Sequence, residues 1–410
     1  MRPDPQALPE LVRDLHRDSQ PWLPAGLGSR LDWGPSLSTP VEVVSCAGLN
    51  RIVDHEPGDF TITVEAGAPL AEVQQFLAAH DQWLSLDLPW GSGCSGSIGG
   101  LVARGLAGGY RQRYLGVRDQ LIGLRLLRAD GVAAHGGGKV VKNVAGYDLM
   151  RLFTGSWGSL GLITELTLRT MPLPPHCRGL TVQGPIPRLN DLAQWLLTST
   201  LMPERIDWWS ASLAAAAGLP REPLLLIALA SVDPACLQQQ IHVIRAGTDL
   251  PTCELDRAEL DGLLSIARCG SLQGCTSTAE VPSPQWLLRL GVTPFHAADL
   301  LKACELADIP VELAAESGLG MAWSTVSSPD HSGAWLSSQN VMALRRVCDR
   351  LGGYLTVLRQ PPGADVTAWS DAAARHLIER VKAQFDPRDL LAPGRLPGVG
   401  TPQGATSSSC

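Results

Sequence analysis

No stretch of this 410-residue chain reaches 18 uncharged apolar residues, the length a bilayer-crossing helix needs. The opening MRPDPQALPELVRDLHRD carries charge throughout and has neither an apolar signal core nor a cleavage site, so the expectation is a cytoplasmic protein. No basic run occurs either. With 33 Lys and Arg against 40 Asp and Glu, the net charge is -7, which argues against nucleic acid as a partner. The ten cysteines stand singly, without C-x-x-C pairs or ferredoxin spacing, which excludes an iron–sulfur cluster of the usual kind on this chain. Most should be buried and reduced. Nine histidines lie far apart with no metal-ligand spacing, so no metal site is expected.

What the chain does have is glycine in concentrated places. PWGSGCSGSIGGLVARGLAGG, residues 89–109, holds eight glycines in twenty-one residues and almost no side chain suited to acid-base work. Glycine lets a ligand approach the main chain closely, and successive N–H groups can then line a nest for an anion such as a pyrophosphate. The stretch reads as a flavin-binding loop. Gly91, Gly93 and Gly96 also satisfy G-x-G-x-x-G, but a nicotinamide-binding unit needs a strand running into the turn, a helix opening at the third glycine and an acidic residue about 20 positions on. Here Pro89 ends any strand, glycines continue through the supposed helix, and Arg111 stands near the acidic position.

Leu8, Leu11, Val12 and Leu15 recur at helical spacing over residues 6–18. The turn Ala25, Gly26, Leu27, Gly28, Ser29 follows, with Arg30 at its end. VEVVS (41–45) and FTITV (60–64) read as strands, and a helix opens after Pro69 with Leu70, Val73, Phe76 and Leu77 on its apolar face. Tyr110, Arg111, Arg113, Tyr114, Arg118 and Asp119 form a polar cluster, in which an Arg118–Asp119 contact is one reading and arginines facing a flavin are the other. Residues 121–137 read as a hairpin turning at Ala129–Gly131. Lys142, Asn143, Tyr147 and Asp148 surround Gly146, and Gly155, Gly158 and Gly161 precede a strand through Leu162, Thr164, Leu166 and Leu168. This order suits an α+β domain better than a doubly wound sheet.

AGLGSR, LPWGSGCSGSIGGLVARG, GVRDQLIGLRLLRADG and KNVAGYDLMRLFTGSWGSLGLITELTL, in that order, resemble the FAD-contacting segments of the vanillyl-alcohol-oxidase (PCMH-type) flavoproteins. VVKNVAGYDL and the ending AQFDPRDLLAPGRLPG resemble the FAD-binding E subunits of bacterial glycolate oxidases. The likeness covers residues 15–175 and 380–397. It implies an α+β, two-subdomain FAD-binding fold with an α/β cap domain and a C-terminal helix returning to the FAD domain. Carried over, Ala25, Gly26, Leu27, Gly28 and Ser29 would cradle the pyrophosphate. Pro89, Ser97, Ile98, Gly99 and Gly100 would follow the flavin and its ribityl chain, and Gly161 and Ile163 would offer backbone contacts near the adenine or the ring. Two departures stand out. Leu27 replaces a commonly small residue, and Ser29 stands in the turn where covalently tethered relatives carry histidine. Cys94 has the spacing of a cysteinyl flavin link but no companion histidine, so FAD is expected to be non-covalent.

From Arg178 to Arg359 strands alternate with helices, including RIDWWS, PLLLIALA, WLLRLGV and YLTVLR as strands and 235–246, 297–308 and 340–352 as helices. Trp208, Trp209, Trp286, Trp323 and Trp335 belong to the core on this reading. A closing helix, 371–385, has Leu377, Ile378, Val381 and Phe385 in register, and 398–410 reads as a disordered tail. The division expected is 1–175 for FAD, 176–360 for the cap and 361–397 packing back on the first. The His-Gly-x-x-Gly-Asp-Gly-Asn-x-His segment of the hydroxy-acid-oxidising subunits is missing, and no catalytic residue is nominated. The resemblance implies an FAD-binding subunit working in glycolate oxidation with a catalytic FAD subunit and an iron–sulfur subunit, cytoplasmic or held at the inner face of the membrane through them. A self-sufficient oxidoreductase for another 2-hydroxy acid and a non-catalytic scaffold are the alternatives.

Overall fold

A computed structural model describes residues 1–37, 39–86, 96–139, 147–269, 286–324 and 336–400. The chain begins with helix Leu8–Arg17, which buries Leu8, Val12 and Leu15. Strands Trp22–Ala25 and Glu42–Ser45 then pair in parallel, so the glycine turn leaves the C-terminal end of the first. A five-stranded sheet follows in the order Ile52–Glu56, Thr61–Glu65, Leu162–Arg169, Leu121–Leu127, Ala133–Gly137, antiparallel throughout. Thr61–Glu65 is buried along its whole length, which its Thr/Ile/Val content suits. Helix Leu70–Ala78 buries Leu70, Val73 and Leu77. Helix Ile98–Arg104, N-capped by Ser97, buries Ile98, Gly99, Leu101 and Val102.

The second half is built on an eight-stranded sheet. Its order is Thr252–Leu255, His176–Gln183, Leu224–Ser231, Arg205–Trp209, Val311–Ala314, Leu319–Ser324, Trp286–Gly291, Tyr354–Arg359. Strands alternate with helices along the chain, yet every pairing is antiparallel. One face packs on helices through Leu225, Ile227, Leu288, Leu300 and Leu344. The other gathers Trp209, Leu226, Leu287 and Trp323 with Trp33 and Trp157 from the first half. Trp208, Trp209, Trp286 and Trp323 are all core, and Trp335 lies outside the described residues.

Helix Arg375–Phe385 returns to the first half, where Val381 and Phe385 pack against the five-stranded sheet's core. Leu377, expected on the apolar face, is 53% exposed, and Lys382 is buried instead. Its Nζ donates to Asp386 Oδ2 at 2.6 Å, to Leu391 O at 2.7 Å and to Ser159 O at 3.0 Å. Beyond the helix, Trp22 N donates to Leu390 O and Ala392 N to Trp22 O, so the chain's end is stitched beside its first strand. Among the described residues no helix is long and apolar enough to cross a membrane, and no group of three metal-ligating side chains occurs. Cys46, Cys304 and Cys348 are buried, while Cys236 and Cys253 are exposed.

Candidate functional site

A cleft of about 800 Å³, counted with its open mouth, gathers Ala25, Gly26, Leu27, Gly28, Ser29, Ser97, Gly99, Gly100, Gly161 and Ile163. Three segments far apart in sequence therefore share one wall. Of the other two expected residues, Pro89 lies outside the described residues, as do Cys94, Lys142, Asn143 and Gly146. Ile98 is not among the residues lining the cleft: its side chain is fully buried in the core beneath the helix, because an isoleucine at the first helical position turns inward while Gly99 and Gly100 face the cleft.

The turn is tightly held and still offers donors. Ser45 Oγ donates to Gly26 O at 3.1 Å. A Cβ on Gly26 would sit 1.9 Å from Ser97 Oγ, so glycine is required there for the two segments to close on each other. Gly28 has φ +76°, a left-handed conformation open to glycine at little cost. Among the described residues the amides of Gly26, Leu27, Gly28 and Ser29 have no backbone acceptor. Those are the groups an oxyanion would take.

Cations surround the same turn. Arg30 lines the cleft with Arg104, and Arg395 donates to Leu31 O at 2.7 Å. Burial pushes Arg30 down to about 10, partly offset by Asp32, and lowers Arg395 as well. Asp32 is itself tied to Arg359 at 2.6 Å. Among the described residues the positive charge here exceeds the negative, and an anionic group bound at the turn would add to its balance. These residues fit a dinucleotide with a diphosphate.

Next to the cleft, and sharing Arg104 and Trp157 with it, is a second one between the two halves. Arg289, Tyr354, Thr356 and Trp369 line it together with Thr154, and among the described residues no acidic one does. Arg289 makes no ion pair among the described residues, and its guanidinium stands 6.0 Å from the Tyr354 ring. It is the kind of group that holds a carboxylate. A single arginine in the strand WLLRLG carries no sequence signal of that role. Its position on the sheet face turned toward the first half is what reveals it.

The polar cluster after the glycine-rich stretch joins the two halves. Tyr114 OH donates to Glu204 Oε2 at 2.6 Å, and the Arg205 guanidinium lies 5.0 Å from the Tyr110 ring. The expected Arg118–Asp119 contact is replaced. Arg118 pairs with Asp148, which caps helix Leu149–Phe153, while Asp119 accepts from Gly116 N at 3.0 Å, because a carboxylate at that position is better placed to satisfy an open helical amide. Tyr147 is exposed. Burial raises Glu204, against the opposing effects of Tyr114 and Arg113. A carboxyl raised on folding contributes stability below its unfolded pKa, and that contribution is lost as pH rises through the folded one. Glu204→Gln keeps an acceptor for Tyr114 and cannot ionise. The difference between variant and wild type in urea midpoint should therefore grow in the variant's favour from pH 4 to pH 8.

Residues 3–137 match a family model described as "FAD binding domain". Among curated proteins, the Escherichia coli K12 glycolate oxidase subunit GlcE is 34% identical over 193 residues, 47% of this chain and 54% of that protein. A Xanthomonas citri pv. viticola D-2-hydroxyglutarate dehydrogenase is 36% identical over 166 residues, 40% of this chain and 34% of that protein. The mitochondrial D-lactate dehydrogenase [cytochrome] of Arabidopsis thaliana is 24% identical over 382 residues, 85% of this chain and 64% of that protein. The matches thus span from a third to under two thirds of those relatives. An alkyldihydroxyacetonephosphate synthase structure superposes with a TM-score of 0.66 at 14% identity, over 96% of this chain and 75% of that one. The α+β, PCMH-type fold is shared with it.

Proposed function

From the match of residues 3–137 to an FAD-binding domain model, we propose an FAD-dependent oxidoreductase subunit of a glycolate oxidase-like complex, taking part in oxidation of glycolate to glyoxylate. The observation that carries this reading is the meeting of the 25–29 turn, the start of helix Ile98–Arg104 and the Gly161–Ile163 segment in one cleft with an excess of positive charge. The resemblance to GlcE supports the choice of glycolate and of partner chains, namely a catalytic FAD subunit and an iron–sulfur subunit. We assign 1–175 to the FAD domain, 176–360 to the cap and 361–397 to the returning segment.

When bound, FAD supplies two-electron redox chemistry at its flavin ring. The protein's share is binding and orientation. The Gly26–Ser29 amides and Arg30 hold the diphosphate without a covalent link. Gly99, Gly100, Gly161 and Ile163 let the rest of the cofactor lie against the main chain. Where a hydroxy acid binds on this chain, Arg289, from the sheet above, would hold its carboxylate, and the sheet's packed tryptophans would keep water from the space between the halves.

The test is purification with its partners from the native cell, an absorbance spectrum, and glycolate addition. The expected result is a chain that stays yellow when separated from its partners and releases its own FAD into the acid supernatant, within a complex whose bound flavin bleaches on addition of glycolate. A colourless chain that still binds its partners would overturn the reading in favour of a scaffold. The matches to D-2-hydroxyglutarate and D-lactate dehydrogenases favour one second reading, a self-sufficient enzyme for another 2-hydroxy acid. Bleaching of the isolated chain by such an acid, and not by glycolate, would support it. On that second reading Arg289→Gln should raise KM for the hydroxy acid about 10- to 100-fold, the worth of one charge-assisted hydrogen bond, with flavin content unchanged, whereas a complex in which the partner subunit binds the acid should keep its KM.

A further inference from the structure

Arg104 closes the helix that begins at Ile98 and borders both clefts. Its Nη2 donates to Arg30 O at 2.8 Å, which ties the guanidinium to the glycine turn. Its face is covered by Trp157, 3.9 Å from the ring centroid. Nη1, in contrast, is shut away from solvent and has no acceptor among the described residues. Among the described residues no carboxylate pairs with this side chain. Burial first, then the cations Arg395 and Arg30, push it down to about 9, with Asp32 alone opposing them.

A buried guanidinium N–H without an acceptor is costly, and leucine or methionine would fill the same space against Trp157 at no such cost. The arrangement makes sense when an anion completes it. That anion belongs to the first cleft, since Nη2 is anchored on the turn's own carbonyl and the second cleft has Arg289. A rigid fork held on one side by a carbonyl presents its remaining donor in a fixed direction, which lysine cannot do.

Resting on the flavin reading above, we propose that Arg104 is the residue by which this chain selects flavins carrying a diphosphate, its Nη1 taking a diphosphate oxygen opposite the Gly26–Ser29 amides. FAD is then favoured over riboflavin through charge, and the free diphosphate group alone is a ligand of the apoprotein.

The experiment strips the flavin from the full chain and titrates FAD, riboflavin and inorganic pyrophosphate into wild type, Arg104→Met and Arg104→Lys, with a melting curve for each apoprotein. Arg104→Met should weaken FAD about 10- to 100-fold and riboflavin less than about threefold, a bound set by the lost packing alone. Arg104→Lys should recover part of the loss. Pyrophosphate should displace FAD from wild type only. The Arg104→Met apoprotein should melt no lower than wild type, because an uncompensated charge has been removed. Equal losses for FAD and riboflavin, or no loss for either, would overturn the proposal and leave Arg104 a packing residue. So would pyrophosphate that fails to displace FAD from wild type, a result that does not depend on how the variants fold. A wild type that takes up no FAD at all sinks the flavin reading itself and this inference with it.

Discussion

Lys382→Met should cost the fold about 3–5 kcal/mol, the range found when one partner of a buried ion pair is removed. Lys382 and Asp386 side chains are 8% and 0% exposed, so solvent cannot take over the carboxylate left behind. Two carbonyls, Ser159 O and Leu391 O, also lose their donor. The contact to Ser159 spans 223 residues of sequence, and with it goes one of the ties between the returning helix and the loop before Gly161. The measure is the urea midpoint of the full chain. Lys382→Met with Asp386→Asn should be less destabilised than Lys382→Met alone, since asparagine can still accept from Leu391 N, where Asp386 Oδ2 accepts at 2.7 Å, and carries no charge to strand. A single variant within about 1 kcal/mol of wild type, the worth of an exposed pair, would mean that this lysine is hydrated.

The contrast between Lys382 and Leu377 shows where sequence reading stops. Helical periodicity places Leu377, Ile378, Val381 and Phe385 on one apolar face, yet Val381 and Phe385 pack on the sheet's core while Leu377 is exposed. Nothing in a hydropathy pattern ranks a lysine above a leucine for burial. What reverses the order is a set of acceptors, Asp386, Leu391 O and Ser159 O, that only the folded chain brings to one point. Arg104 and Arg289 are illegible for the same reason: each is a lone cation in an otherwise apolar or glycine-rich stretch, and its role depends on which carbonyl, ring or cavity stands opposite.

Backbone sites are different. Gly26, Gly28, Gly99, Gly100 and Gly161, which the fold brings to one cleft, stand out in the sequence because glycine marks where a ligand can approach the main chain closely. Ile98 was the exception inside that run, since the helix that starts at Ser97 rotates it toward Leu101 and Val102 in the core. In the second half, RIDWWS and PLLLIALA are strands by composition alone. The segments His176–Gln183 and Leu319–Ser324 carry glycine within short mixed runs and become strands through their neighbours' pairing, which local propensity does not encode.

Gly26→Ala should empty the cofactor site while leaving most of the fold in place. The added methyl would meet Ser97 Oγ at 1.9 Å and Ser97 Cβ at 2.9 Å. Ser97 is itself buried and caps the helix through Gly100 N at 3.2 Å. To make room, the 25–29 turn and the helix start must move apart, and these are the two walls that would face each other across a diphosphate. Overpacking of this kind costs about 1–3 kcal/mol, which falls on cofactor affinity, because the turn is open to the cleft on its other side. Flavin affinity should drop by about 5- to 150-fold, and the protein should purify with a small fraction of the wild-type flavin per chain. Adding Ser97→Ala removes the 1.9 Å contact and leaves the 2.9 Å one, so the double variant should regain part of the flavin at the price of the helix cap. The absorbance ratio of flavin to protein, with a melting curve beside it, separates the two effects. Full flavin content in Gly26→Ala would mean that the turn can yield without disturbing the site, and that the diphosphate is held elsewhere.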